Sequence, residues 1–175
     1  VRANEPENYA RIYRIMLPKD YIRMKITGEI ASDASDASGT GMFDAVQRSW
    51  AWPLIERMEL RPDIFPDIRE STSIAGAVTA ACARETGLPQ GAEVVFGAGD
   101  QPCYSIGNGI IRPGLIAANI GSSGQVSAYS DVPCRDEHLR TQTFCHAIRR
   151  GYTVFGATLC AGMSLNWLRH KILHA

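Results

Sequence analysis

The chain has 175 residues, 45% of them hydrophobic, which is enough for one ordinary core or for one domain and part of another. Lys+Arg and Asp+Glu each number 18, so the formal net charge is zero, and no long basic run occurs. That balance excludes electrostatic capture of nucleic acid or of an anionic membrane as the organising function. Five cysteines, an odd number without a CxxC pair, argue against a disulfide framework or a zinc knuckle and read as small buried hydrophobes in a reducing compartment. The polar start, Val1-Arg2-Ala3-Asn4-Glu5, carries no signal-peptide pattern, and no apolar run reaches membrane-spanning length. A soluble cytoplasmic protein is expected, and Val at position 1 fits a chain that begins mid-protein.

Residues 6–28 read as helical, with Tyr9, Ile12, Tyr13, Met16 and Leu17 at helical spacing. Pro18 interrupts the run, and a second helix over 19–26 stops at Gly28. Residues 31–44 are small and polar, and predict a turn-rich loop whose return to Met42 and Phe43 brings it back onto the core. A helix is expected over 45–60 around Trp50, Trp52 and Ile55, then a Pro-rich connection, then a helix over 75–86 ending at Gly87. Residues 93–100 read as a buried strand running into Gly97-Ala98-Gly99-Asp100, with a short helix beyond Pro102. Strands at 115–120 and 125–129 flank Gly121-Ser122-Ser123-Gly124; another at 152–159 precedes a helix through Trp167, Leu168 and Ile172. Helices before residue 112 and hairpins after it place a boundary there.

Gly97-Ala98-Gly99-Asp100-Gln101 is the strongest local chemistry. A strand ending in glycines admits close backbone approach, and a carboxylate at its end can accept a proton or hold a cation. Capping of the following helix by Asp100 fits the same pattern. Gly121-Ser122-Ser123-Gly124 can present N–H groups and hydroxyls to a phosphate, or be an ordinary hairpin turn. It is neither a GxxxxGK[ST] loop nor a GxSxG elbow, and Gly97-x-Gly99 lacks the third glycine of a dinucleotide fingerprint. His170 and His174 stand one helical turn apart but lack the HExxH pattern; solvated helix-end histidines are expected there, and a core histidine at His146. Trp50, Trp52 and Trp167 read as core.

Taken in order, these segments resemble the FGGY carbohydrate kinases. The resemblance rests on Leu17-Pro18-Lys19-Asp20-Tyr21-Ile22 with Ile26-Thr27-Gly28-Glu29; Ser35-Asp36-Ala37-Ser38-Gly39-Thr40 with Phe43-Asp44; Gly97-Ala98-Gly99-Asp100-Gln101; Gly107-Asn108-Gly109-Ile110; Ile120-Gly121-Ser122-Ser123-Gly124; and Gly162-Met163-Ser164-Leu165-Asn166-Trp167. It implies an α/β fold of two actin-like, ribonuclease-H-like domains around a cleft. Residues 1–112 would be the latter part of the first domain, and 113–175 the start of the second. It further implies ATP and Mg²⁺, and a sugar acceptor, with D-xylulose favoured over glycerol, ribulose or gluconate.

Carried over residue by residue, the resemblance makes Asp100 the base that takes the sugar hydroxyl's proton and a candidate metal contact. It places Gln101 against sugar hydroxyls, Gly121 and Ser122 against ATP phosphates, and Gly162 and Asn166 near the nucleotide. Two departures matter: the family's opening phosphate-binding hairpin, with its Asp-x-Gly-Thr-like motif, and its later adenosine-binding segment have no counterpart here. The expectation is that these 175 residues alone do not catalyse phosphorylation and self-associate through uncovered apolar surface. A non-catalytic binding or structural module, or an unrelated α/β enzyme, remains the competing class.

Overall fold

The structure, a computed structural model, describes residues 1–174. It divides into two compact units, Val1–Gly99 and Asp100–Ala175.

In the first unit, α1 (Pro6–Ala10) is a single turn, not the longer helix its periodicity suggests. The chain leaves it because Arg61 reaches back: its guanidinium donates to the Ala10 carbonyl (2.9 Å) and its backbone N–H to the Tyr9 hydroxyl (2.8 Å). The extended stretch that follows is anchored where the Ile15 N–H donates to the Ile64 carbonyl (2.8 Å). Pro18 then opens α2 (Pro18–Thr27), since a first-turn proline forfeits no helical hydrogen bond. Gly28, at φ +86°, ends α2 in the left-handed conformation.

The small, polar segment returns to the core as expected, but as short regular elements, and its first part, residues 31–37, is largely buried. It forms β1 (Ala31–Asp33), the short α3 (Ala34–Ala37) and a 3₁₀ turn over Ser38–Thr40. Small side chains are what allow the backbone this deep. The expected helix over 45–60 is replaced by a ribbon of β2 (Phe43–Asp44) and β3 (Ser49–Trp50), followed by α4 (Trp52–Arg57). Asp44 turns the chain by accepting the Val46 and Gln47 N–H groups at 2.9 Å. Trp50 fixes the ribbon: its indole N–H donates to the Pro66 carbonyl (2.6 Å), and it packs edge-on against Phe43 and Phe65. Burying such a ring contributes about 1.5–3 kcal/mol. Trp52, by contrast, is exposed.

Next, β4 (Asp67–Arg69) runs parallel to β1, β5 (Ile74–Ala77) occupies the start of the expected 75–86 helix, and α5 (Ala80–Thr86) is capped by the Thr79 hydroxyl. β6 (Glu93–Val95) pairs antiparallel with β5 and is shorter and more exposed than the buried strand expected.

The second unit opens with α6 (Asp100–Gly107). An antiparallel sheet follows in the order β7 (Ile116–Ile120), β8 (Gly124–Ser130), β10 (Tyr152–Thr158), β9 (Gln142–Cys145). One sheet face carries Ala117 and Tyr129, which form a small core with Ile110. The other presents Ile116, Ile120 and Val126 exposed. α7 (Gly162–Trp167) runs on into a π-type turn over Leu168–Ile172, and Trp167 is exposed, not core. His146 is fully buried, as expected. Cys82 and Cys145 are buried, but Cys103, Cys134 and Cys160 are exposed, and none of the five is in a disulfide. Among the described residues no helix is long and apolar enough to cross a membrane.

Candidate active site

The glycines before Asp100 are held by the backbone and side chains around them. The Phe96 N–H donates to the Ser73 carbonyl and the Gly97 N–H to the Ser71 carbonyl, both at 2.9 Å. Gly97 sits at φ +76°, which only glycine adopts without strain. The Gly99 N–H donates to the Ser35 hydroxyl at 3.0 Å. Asp100 opens α6 with its side chain exposed to solvent, and its Oδ1 accepts the Gln101 N–H at 2.7 Å. The two sequence readings of Asp100 are therefore compatible. One carboxylate oxygen caps the helix, and the other is available to a ligand. Gln101 is half-buried in the same turn.

The second group of expected residues assembles around the β7–β8 turn. Gly121, Ser122 and Ser123 form an exposed three-residue loop, closed by the Gly121 N–H donating to the Ser123 carbonyl (2.9 Å). The start of α7 docks on that loop. The Ala161 and Met163 N–H groups donate to the Ser122 carbonyl (2.9 and 3.3 Å), and the Gly162 N–H to the Gly121 carbonyl (2.9 Å). The structure thus brings Gly162 onto Gly121 and Ser122, 41 and 40 positions earlier in the sequence. Asn166 lies exposed on α7. Beside the loop, a cavity of about 550 Å³ is lined by Asn119, Ile120, Gln125, Arg140 and Thr158. Among the described residues no hydrogen bond joins the Asp100–Gln101 turn to this loop.

A third group was not singled out for a role from sequence. The buried face of α2 is charged, carrying Asp20 and Arg23. Lys19 Nζ lies 2.8 Å from Asp20 Oδ1 and 2.9 Å from Asp33 Oδ1, with Asp36 Oδ2 at 3.9 Å. Arg23 binds Asp20 Oδ1 (2.7 Å) and the Phe96 carbonyl (3.1 Å), donates to the Ala31 carbonyl, and stacks on the Phe96 ring. Asp33 Oδ2 accepts from the Ser35 N–H (2.9 Å), the Ser35 hydroxyl (2.5 Å) and the Ser71 hydroxyl (2.7 Å). Burial alone would lower the Lys19 ammonium. The Asp33 charge, hydrogen bonds to Asp20 and Asp33 and the Asp20 charge outweigh it and hold the group above its ordinary value. The available signal was the density of carboxylates, Asp33 and Asp36, in a small-residue segment that rejoins the core.

These carboxylates do not fit a metal. Among the described residues no group of three or more His, Cys, Asp or Glu side chains could hold an ion, and the space between Asp20 and Asp33 is filled by the Lys19 ammonium. The Asp20–Asp33–Asp36 cluster is therefore not assigned to Mg²⁺.

Residues 1–107 match the N-terminal domain of the FGGY family of carbohydrate kinases. A xylulose kinase from Bacillus subtilis is 32% identical over 169 residues, covering 97% of this chain and 34% of the relative. The chain therefore spans about a third of the length of the curated relatives it matches. The crystal structure of a xyloylose kinase from Brucella ovis superposes with a TM-score of 0.92 at 34% identity, over 100% of this chain and 36% of that one. A gluconate kinase from Lactobacillus acidophilus, 22% identical, shares the fold with a TM-score of 0.89 over 97% of this chain and 34% of its own. The architecture is accordingly an α/β portion of the actin-like, ribonuclease-H-like fold of these kinases.

Proposed function

This chain belongs to the FGGY family of carbohydrate kinases, and from that premise we propose that it is the part of a sugar kinase that supplies the base, with D-xylulose as acceptor and xylulose 5-phosphate as product. The observation that carries the reading is Asp100: an exposed carboxylate at the start of α6, reached through Gly97 and Gly99, with only Oδ1 engaged by the Gln101 N–H. Its other oxygen accepts the proton of the sugar hydroxyl as the hydroxyl's own oxygen bonds to the γ-phosphorus of ATP. The bond from the γ-phosphorus to the bridging oxygen breaks, and ADP leaves. A positioned base of this kind contributes about 10²–10⁴-fold.

Most of the remaining acceleration in phosphoryl transfer comes from alignment and charge neutralisation. Gln101, in the same turn as Asp100, hydrogen-bonds the sugar. In the exposed loop, Ser122 offers its N–H and hydroxyl to the phosphates, while the Gly121 N–H closes the loop on the Ser123 carbonyl. The Gly162 N–H is spent on the Gly121 carbonyl, so Gly162 serves the nucleotide by holding that loop, while Asn166 is the residue of α7 free to reach it. D-xylulose is favoured because xylulose kinases from several bacteria are above 30% identical over nearly the whole chain, alongside an autoinducer-2 kinase from Yersinia enterocolitica, 32% identical over 94% of this chain. A panel of D-xylulose, D-ribulose, glycerol and gluconate with MgATP and the full-length protein tests this. Fastest turnover of D-xylulose is expected; turnover of glycerol or gluconate with none of D-xylulose would replace the assignment.

A further inference from the structure

The base is only as well placed as the backbone that leads into it, and that backbone is gripped by a side chain the proposed reaction does not otherwise use. Ser35 is 2% exposed and makes two hydrogen bonds of opposite sense. A carboxylate can only accept, so the Ser35 hydroxyl donates to Asp33 Oδ2 at 2.5 Å. Its lone pairs are thereby turned to the Gly99 N–H, which donates at 3.0 Å. Asp33, 0% exposed, is itself immobilised by the Ser35 N–H, the Ser71 hydroxyl and the Lys19 ammonium. Capping the four-residue α3 needs only the first of these. The others make Asp33 a rigid anchor.

Gly99 is buried, and a Cβ there would meet Asp36 Oδ1 at 3.4 Å and Asp36 Cα at 3.5 Å, so its backbone runs closely along α3. Together with the amides of Phe96 and Gly97, held by Ser73 and Ser71, this fixes the path of the chain up to the peptide bond that Gly99 makes with Asp100.

We propose that Asp33 and Ser35 form a buried latch on the Gly99 amide whose function is to position Asp100, Ser35 being a positioning residue for the phosphoryl transfer. The inference rests on the reading of Asp100 as the base. Ser35→Ala removes the acceptor for the Gly99 N–H and one donor to Asp33. A misplacement of a reacting group by about 1 Å is worth on the order of 10²-fold in rate, so Ser35→Ala lowers kcat by about 10- to 100-fold with sugar KM within about twofold.

The test is a double-mutant cycle in the full-length protein with Ser35→Ala, Asp100→Asn and the pair, using D-xylulose and MgATP. Ser32→Ala serves as control: Ser32 is equally buried, but its hydroxyl donates to Asp20 and touches neither Asp33 nor Gly99. The latch requires that Ser35→Ala lower kcat in the wild-type background and add no further loss once Asp100 is Asn, while Ser32→Ala lowers the melting temperature and leaves kcat in place. Near-normal kcat for Asp100→Asn would end the reading of Asp100 and with it the premise. A large loss for Asp100→Asn with intact kcat for Ser35→Ala, or losses that multiply, would overturn the latch alone. Should Ser35→Ala not fold, hydrogen exchange at the Gly99 amide of the wild-type protein decides. Strong protection is expected, and exchange as fast as at exposed loop amides would overturn the latch.

Discussion

Gly162 and Gly121 meet backbone to backbone: the Gly162 N–H donates to the Gly121 carbonyl at 2.9 Å, and a Cβ at position 162 would lie 2.6 Å from that oxygen. Gly162 is not among the positive-φ glycines, so the requirement for glycine comes from contact, not from backbone conformation. Because the atom it would strike is a carbonyl oxygen in a hairpin that α7 itself clamps, no side-chain rotation relieves the clash.

Gly162→Ala is therefore expected to destabilise the protein by about 1–3 kcal/mol and to loosen the 121–123 loop. Urea unfolding measures the first effect. Hydrogen exchange at the Ala161, Gly162 and Met163 amides measures the second. Unchanged stability and unchanged protection would mean that the loop is not held in this way.

Lys19 bridges Asp20 and Asp33, both fully buried. Removing it leaves the buried Asp33 charge without its cation, while Asp20 keeps Arg23 at 2.7 Å, so Lys19→Met is expected to lose about 3 kcal/mol. The pH dependence follows from the raised value of the ammonium. Its stabilising contribution is complete below the unfolded value, about 10.4, and is lost as pH rises through the still higher folded value. Wild-type stability should fall more steeply than that of Lys19→Met above about pH 10. Parallel curves in alkaline urea titrations would contradict the pairing.

His146 responds in the opposite direction. Its ring is fully buried, packs edge-on against Tyr129, and accepts the Ile148 N–H at Nδ1 (3.0 Å), which puts the proton of the neutral ring on Nε2. Burial pushes the imidazole below its ordinary value, against a weaker opposing pull from the Ile110 backbone. Below about pH 6.5 the unfolded chain gains a proton that the folded chain resists, so stability falls as pH drops through and below that value. His146→Gln should flatten the dependence between about pH 7 and 5. An equally steep loss in the variant would show that His146 is not the titrating group.

The parts of the fold that were legible in the sequence are those decided locally. Pro18 and Gly28 bracket α2, Gly87 ends α5, and Gly121–Gly124 separates two strands. The elements that went unread are set by partners distant in sequence. Trp50 lies in a strand, not a helix, because its indole finds Pro66 and its ring finds Phe43 and Phe65. Residues 31–37 form β1 and α3 in the core, not a turn-rich loop, because polar side chains there are satisfied by Lys19, Ser71 and Gly99, none of which composition could reveal. Asp100 was visible because glycines frame it. Ser35 was not, because a serine among serines and aspartates shows its role only through Gly99, 64 residues away.

The most direct test of the base assignment is steady-state kinetics of Asp100→Asn in the full-length protein with D-xylulose and MgATP. Asparagine preserves the shape of the side chain, and its carbonyl oxygen can still accept the Gln101 N–H that Asp100 Oδ1 accepts at 2.7 Å, so folding and sugar binding are retained while the proton acceptor is lost. The expected result is a kcat lower by about 10²–10⁴-fold with the sugar KM changed by no more than about threefold. Turnover within about threefold of wild type would contradict it and leave Asp100 as the cap of α6.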